Sequence, residues 1–143
     1  MQRGERSAAE RRRSIPVATL TDPDFLAHAL RHTILSLVRR EGPDLSARQL
    51  AVFLISYLED GPHTVRGLAE RLEVSKPAIT RALDRLGELD LARRRPDPRD
   101  RRSVVIQRTP RGRTFLRDLK AILADSLEAA HEALRAAARE QDA

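Results

Sequence analysis

The chain has 143 residues, of which 41% are hydrophobic and 3% aromatic, with 27 Lys and Arg against 21 Asp and Glu. A chain of this length buries roughly two-thirds of its unfolded surface, so one compact domain with a core of Leu, Ile, Val and Ala needs no disulfides. The absence of Cys excludes thiolate catalysis, Fe–S clusters and zinc ribbons, and no apolar run approaches the roughly 18 residues of a membrane span.

The Arg-rich start has no apolar stretch behind it, which points to a soluble, cytoplasmic protein. Few aromatics with many Leu, Ala, Arg and Glu favour helices over sheets. The net charge of +6 is unevenly placed. From Gly61 to Arg113 there are 14 basic and 7 acidic residues, a balance of +7 that leaves −1 for the rest of the chain. Basic charge confined to one segment is the footprint of a polyanion binder.

Residues 1–20, with Arg3, Arg6 and Arg11 to Arg13, show no apolar periodicity and read as a disordered basic arm: a solvated tail, or an arm reaching a groove or a partner subunit. In 21–44, Asp22-Pro23 reads as an N-cap and first helical residue. Leu26, Leu30, Ile34, Leu37 and Val38 then recur at helical spacing until Gly42-Pro43. Ser46 to Gln49 fits a capping box ahead of a second apolar stripe, Leu50, Phe53, Leu54, Tyr57 and Leu58.

Thr64 can cap a short helix whose inward residues are Val65, Leu68, Ala69 and Leu72, and a further helix begins at Ser75. Along it Ile79, Leu83 and Leu86 point one way, while Ala78, Arg81, Asp84 and Arg85 fall on the opposite side. Two short helices so closely joined read as a helix-turn-helix, although a plain helical hairpin has the same pattern.

Leu91 to Arg95 and Ser103 to Arg108 are strand-like, with Val104 and Ile106 on one face. Pro96 and Pro98 place the connection in an exposed loop. A hairpin with Arg99, Arg101 and Arg102 at its tip and Arg93, Arg94 and Arg95 at its base repels itself unless an anion compensates, which makes it a wing. Thr109-Pro110 opens the last helix, whose stripe from Phe115 through Leu119, Ile122, Leu127 and Leu134 runs nearly to the end. Such a stripe needs a cover. A second copy of the chain, joined through the helices of 21–44 and 110–143, is the economical one; an antiparallel pair within a monomer is the alternative.

The fold class expected is mainly α with a small β-hairpin wing. The order of elements, with Gly67-Leu-Ala-Glu-Arg-Leu72, the run Val74 to Leu86, and Asp100-Arg-Arg102 leading into Thr109-Pro-Arg-Gly112, resembles the MarR family of winged helix-turn-helix transcription factors over about Leu45 to Phe115. The resemblance implies a homodimer on a palindromic double-stranded DNA operator, with the Ser75 helix in the major groove and the wing in the flanking minor groove. It implies that Ser75, Lys76, Thr80 and Arg81 face bases and phosphates, and that Arg102 enters the minor groove oriented by Asp100. With Ala78 and Arg85 on the outward face and Arg99 and Arg101 at the tip, these are the candidate DNA-contacting residues within a lobe spanning 45–109. Resemblance also supplies a repressor released by a small-molecule effector.

The chain departs from the family pattern at Asp90, where Gly is usual, and at Arg108, where Leu is usual. Independently of the family, Arg81 suits bidentate bonding to guanine, Ser75 and Thr80 suit phosphate oxygens, and Arg102 suits a narrow minor groove. Arg85 and Arg71 also have the simpler reading of pairing with Asp84 and Glu70 in solvent.

His28 and His32 stand at i, i+4, a spacing that can share a metal. No third ligand is evident, and surface or interface histidines are the plainer reading. No Gly-rich phosphate loop and no nucleophile with a base is present, so no enzyme and no cofactor are expected. The competing readings are a winged-helix protein-interaction module and an architectural DNA binder without operator preference.

Overall fold

The computed structural model describes residues 7–143, so the first six residues of the expected arm lie outside the described residues. The chain divides into two compact units, one formed by residues 43–118 and the other by the residues before and after that segment.

In the 43–118 unit the helix α4 (Ala47–Leu58) is followed by α5 (Val65–Leu72), α6 (Lys76–Glu88), the strands β1 (Ala92–Pro96) and β2 (Val104–Arg108), and the start of α7 (Pro110–Gln141). The caps are those expected from the sequence. Ser46 and Gln49 form a reciprocal capping box, Thr64 Oγ1 accepts from the Gly67 N–H at 3.0 Å, and Ser75 Oγ accepts from the Ala78 N–H at 3.2 Å. The inward stripes meet in one core centred on Phe53, Leu68, Ile79, Leu86 and Leu91, all essentially without solvent access. Phe53 stacks on Tyr57 and meets Phe115 edge-on, with ring centroids 4.4 and 5.1 Å apart.

The wing is a two-stranded antiparallel hairpin in which Ala92 faces Arg108 and Pro96 faces Val104. Its strands are displaced by one residue from the expected start points, and Pro96 ends β1 beside the tip. Val104 and Ile106 share a face, as the alternation requires, yet the buried residue of β2 is Val105 on the other face. The reason lies outside the hairpin: Thr64 bridges Val105, and the Ile106 N–H donates to the His63 carbonyl at 2.9 Å, so the segment before α5 covers one side of β2.

Thr109 and Gly112 form the joint where α7 starts. Thr109 Oγ1 accepts from the Gly112 N–H at 2.9 Å and donates to the Asp90 carbonyl at 2.6 Å, while the Tyr57 hydroxyl accepts from the Thr109 N–H at 2.9 Å and donates to the Leu91 carbonyl at 2.6 Å. A Cβ on residue 112 would sit 1.7 Å from the Tyr57 oxygen and 2.4 Å from the Leu91 oxygen, so this position requires glycine. Asp90 adopts the left-handed conformation, at φ 54°, that the usual glycine would supply. Arg108 does not pack beneath the wing as a leucine would. Its guanidinium donates to the Ser56 and Glu59 carbonyls at 2.8 and 3.0 Å, and so satisfies the C-terminal end of α4.

In the other unit, α1 (Ala8–Arg13), α2 (Val17–Leu20) and α3 (Pro23–Arg39) are joined by the rest of α7. Residues 8–20 are therefore largely helical where a disordered arm was expected. Ser7 and Glu10 make a capping box, and Ile15 is buried with Phe25, Ala29 and Ala130. Asp22 caps α3 as expected. The face of α3 that is buried within the chain is Phe25, Ala29 and Thr33; the more apolar stripe of Leu26, Leu30, Ile34 and Val38 lies beside it and is 45 to 65% exposed. A buried polar cluster crosses this unit, with Thr33 Oγ1 2.8 Å and His32 Nδ1 2.9 Å from Ser126 Oγ.

Candidate nucleic-acid interface

The N-terminal half of α6 and the wing line one groove of about 510 Å³. Lys76 and Thr80 come from α6, Arg94 from β1, Asp100, Arg102 and Ser103 from the loop between the strands, and Val65 and Arg66 from the start of α5. Four cations stand against one carboxylate. The groove thus brings together four of the residues singled out in the sequence: Lys76, Thr80, Asp100 and Arg102.

The other six are placed differently. Ser75 Oγ is engaged in capping α6. Arg81 is exposed on α6 outside the groove lining, and Arg99 and Arg101 are exposed on the loop between the strands. Arg85 is bonded to Glu88 at 3.2 Å, not to Asp84. Ala78 does not stand on the outer face; it is buried beside Ile79, about 100° round the helix from it and one turn before the buried Ala82, on the flank of the inward stripe.

Asp100 acts on Arg102 through the backbone. Its carboxylate accepts from the Arg102 N–H at 3.0 Å, just as Asp97 accepts from the Arg99 N–H at 2.9 Å. Two successive side-chain turns of this kind, closed by the Asp97 N–H to the Ser103 carbonyl and the Ser103 N–H to the Asp100 carbonyl, shape the loop. Among the described residues no carboxylate pairs with the guanidinium of Arg102.

Ion pairing sorts the basic residues of this unit into two groups. Arg66 pairs with Glu70, Arg71 with Glu59, Arg85 with Glu88, Arg93 with Asp90, and Arg94 with Asp84. The pairing of Arg71 with Glu59 replaces the expected one with Glu70. Its hydrogen bond holds the Glu59 carboxyl below the usual range and raises the Arg71 guanidinium further. Among the described residues no carboxylate pairs with Lys76, Arg81, Arg95, Arg99, Arg101 or Arg102. Cations on α6 and the wing thus fall into both groups: Arg85, Arg93 and Arg94 are tied to carboxylates, and Lys76, Arg81, Arg95, Arg99, Arg101 and Arg102 are not.

Two residues of this candidate interface escaped the sequence reading. Arg66 was not singled out, although its place in the first turn of α5, one residue after Val65, turns it toward the same opening. Asp84 was assigned only an outward direction; it joins α6 to the wing through Arg94, ten residues further along the chain. Among the described residues no group of three or more His, Asp or Glu side chains is arranged to hold a metal, and no helix is long and apolar enough to cross a membrane.

Comparison with known proteins agrees with this geometry. A model of the MarR family matches residues 51–103, the segment from α4 to the wing loop. Comparison with curated proteins gives no match. Among solved structures, the transcriptional regulator BldR from Sulfolobus solfataricus is 28% identical, with 82% of this chain and 89% of that one covered and a TM-score of 0.54. CouR from Rhodococcus jostii, solved bound to p-coumaroyl-CoA, is 27% identical over 78% of this chain and 79% of its own, with a TM-score of 0.55. Wild-type MarR from E. coli in its apo form is 26% identical over 79% of each chain, with a TM-score of 0.56. With the helix-turn-helix, the wing and the Thr109 joint all in place, the chain has the fold of, and over residues 51–103 is similar in sequence to, the MarR family of winged helix-turn-helix transcriptional regulators.

Proposed function

We propose that the chain is a sequence-specific DNA-binding regulator, with α6 in the major groove and the wing in the adjacent minor groove. The observation that carries this reading is the shared groove: Lys76 and Thr80 of α6 and Arg102 of the wing line one opening, and neither Lys76 nor Arg102 has an ion-pair partner among the described residues. An unpaired guanidinium held on a side-chain turn suits a narrow minor groove, where negative potential is concentrated. Arg81, exposed and without a carboxylate, is the residue for guanine O6 and N7.

The regulator acts as a homodimer on a palindromic operator. In support, α3 leaves Leu26, Leu30, Ile34 and Val38 largely exposed, a stripe at helical spacing for which a second copy of the chain is the natural cover. Repression, relieved by a small molecule, is the mode the family resemblance favours, and the p-coumaroyl-CoA bound to CouR shows an acyl-CoA thioester held by a relative.

The test is selection of binding sites from random duplexes with the purified chain, together with its mass in solution. A palindromic consensus with half-sites about one helical turn apart, bound by a dimer, is the expected result. Salt-sensitive binding without sequence preference would favour the architectural alternative, and no duplex binding at low salt would overturn the proposal.

A further inference from the structure

The wing has a second cationic face. Side chains alternate along a strand, so Arg94 and Arg95 of β1 point to opposite sides of the hairpin. Arg94 lines the groove shared with α6; Arg95 lines a separate cleft of about 570 Å³ behind the wing, with Arg108 and Gln107 of β2, Arg113 of α7, and His63 and Asp60 of the segment after α4. Three guanidinium groups face one carboxylate there.

None of the three arginines has an ion-pair partner among the described residues. Arg108 is fixed by the Ser56 and Glu59 carbonyls and its charge is not cancelled. His63 donates from Nε2 to the Glu59 carbonyl at 2.9 Å, which ties that wall to the same helix end. Arg113 adds an independent sign. The first turn of α7 has no acidic residue and begins Pro110-Arg111-Gly112-Arg113, so cations sit at the end of a helix whose dipole already carries positive charge. That arrangement is unfavourable in the free protein and is relieved by an anion.

We infer that this cleft takes a backbone phosphate of the DNA strand that borders the minor groove on the side away from α6. The inference rests on the reading of the wing as a minor-groove element. A hairpin in a groove about 6 Å wide is flanked by the phosphates of both strands, so a wing that is cationic on both faces and at its tip matches both borders. The groove side is served by Arg102, and the outer side by Arg95 and Arg113. The footprint of each half-site therefore extends outward past the wing, by contacts that fix position without reading sequence.

Fluorescence anisotropy of the full chain on two duplexes tests this. Both carry the same selected site; one ends at the groove bound by the wing and the other continues about half a helical turn further at each end. The wild-type chain is expected to bind the longer duplex more tightly. The Arg95→Ala/Arg113→Ala variant loses that advantage, and its salt slope falls by about 0.9 per protomer for the one phosphate contact removed. The Arg95→Lys/Arg113→Lys variant keeps the charges and restores most of both, which separates lost contacts from lost fold.

A double alanine variant with wild-type slope and wild-type flank dependence overturns the cleft assignment alone. Equal binding of the two duplexes by the wild-type chain, with inorganic pyrophosphate bound through the same arginines, also overturns it and makes the cleft a site for a free oxyanion. A wild-type chain indifferent to every duplex overturns the regulator reading on which it rests.

Discussion

Single side chains in the 43–118 unit divide by whether their charge or their shape is already used. Arg102 lends its N–H to Asp100 and keeps its guanidinium unpaired, so Arg102→Ala is expected to leave the melting temperature nearly unchanged and to weaken operator binding at moderate salt, read by anisotropy and thermal unfolding together. Arg81 makes no ion pair, and Arg81→Ala is expected to lose about 1–3 kcal/mol on the operator and to relax preference at one base position per half-site. Equal weakening on operator and random duplexes would make it a phosphate contact instead. Gly112 is the opposite case. Because a Cβ there would overlap the Tyr57 oxygen and the Leu91 carbonyl, Gly112→Ala is expected to lower stability by at least about 2 kcal/mol in denaturant titration, through displacement of buried hydrogen bonds.

At the level of elements, caps and stripes were readable because they are local. Asp22, Ser46, Thr64, Ser75 and Thr109 each bond to an N–H two to four residues ahead, and the helices they open lie where the spacing of Leu and Ile placed them. What was not readable came from partners distant in sequence. Val105 is buried because of Thr64, Arg94 is neutralised by Asp84, and Arg108 closes α4, and no periodicity within the wing announces any of these. The helix α1 differs, since Ser7-Ala-Ala-Glu10 is a capping box in plain view whose signal was masked by the arginines after it. Helix ends also carry the one stabilising change that the backbone invites. Glu73 ends α5 at φ 54°, exposed and, among the described residues, with no side-chain hydrogen bond or ion pair, so Glu73→Gly is expected to add up to about 1 kcal/mol of stability with DNA binding unchanged, as thermal unfolding would register.

For the whole molecule the distribution of charge and of apolar surface are separate signals. Positive charge gathers in the segment around the wing, and apolar exposure gathers on α3. Replacing Leu30, 62% exposed on that helix, by Glu is expected to convert the proposed dimer into monomers in sedimentation while each monomer keeps its helical circular dichroism, and to weaken binding to the selected site by at least tenfold as two half-sites are no longer engaged together. An unchanged dimer would place the subunit contact elsewhere. The joint at the start of α7 has a further use. Tyr57 is the single tyrosine of a chain without tryptophan, and its hydroxyl is held between the Thr109 N–H and the Leu91 carbonyl. Ultraviolet emission excited above the phenylalanine band therefore arises from this one point, and a label-free optical probe of the place where wing and terminal helix meet is built into the native protein.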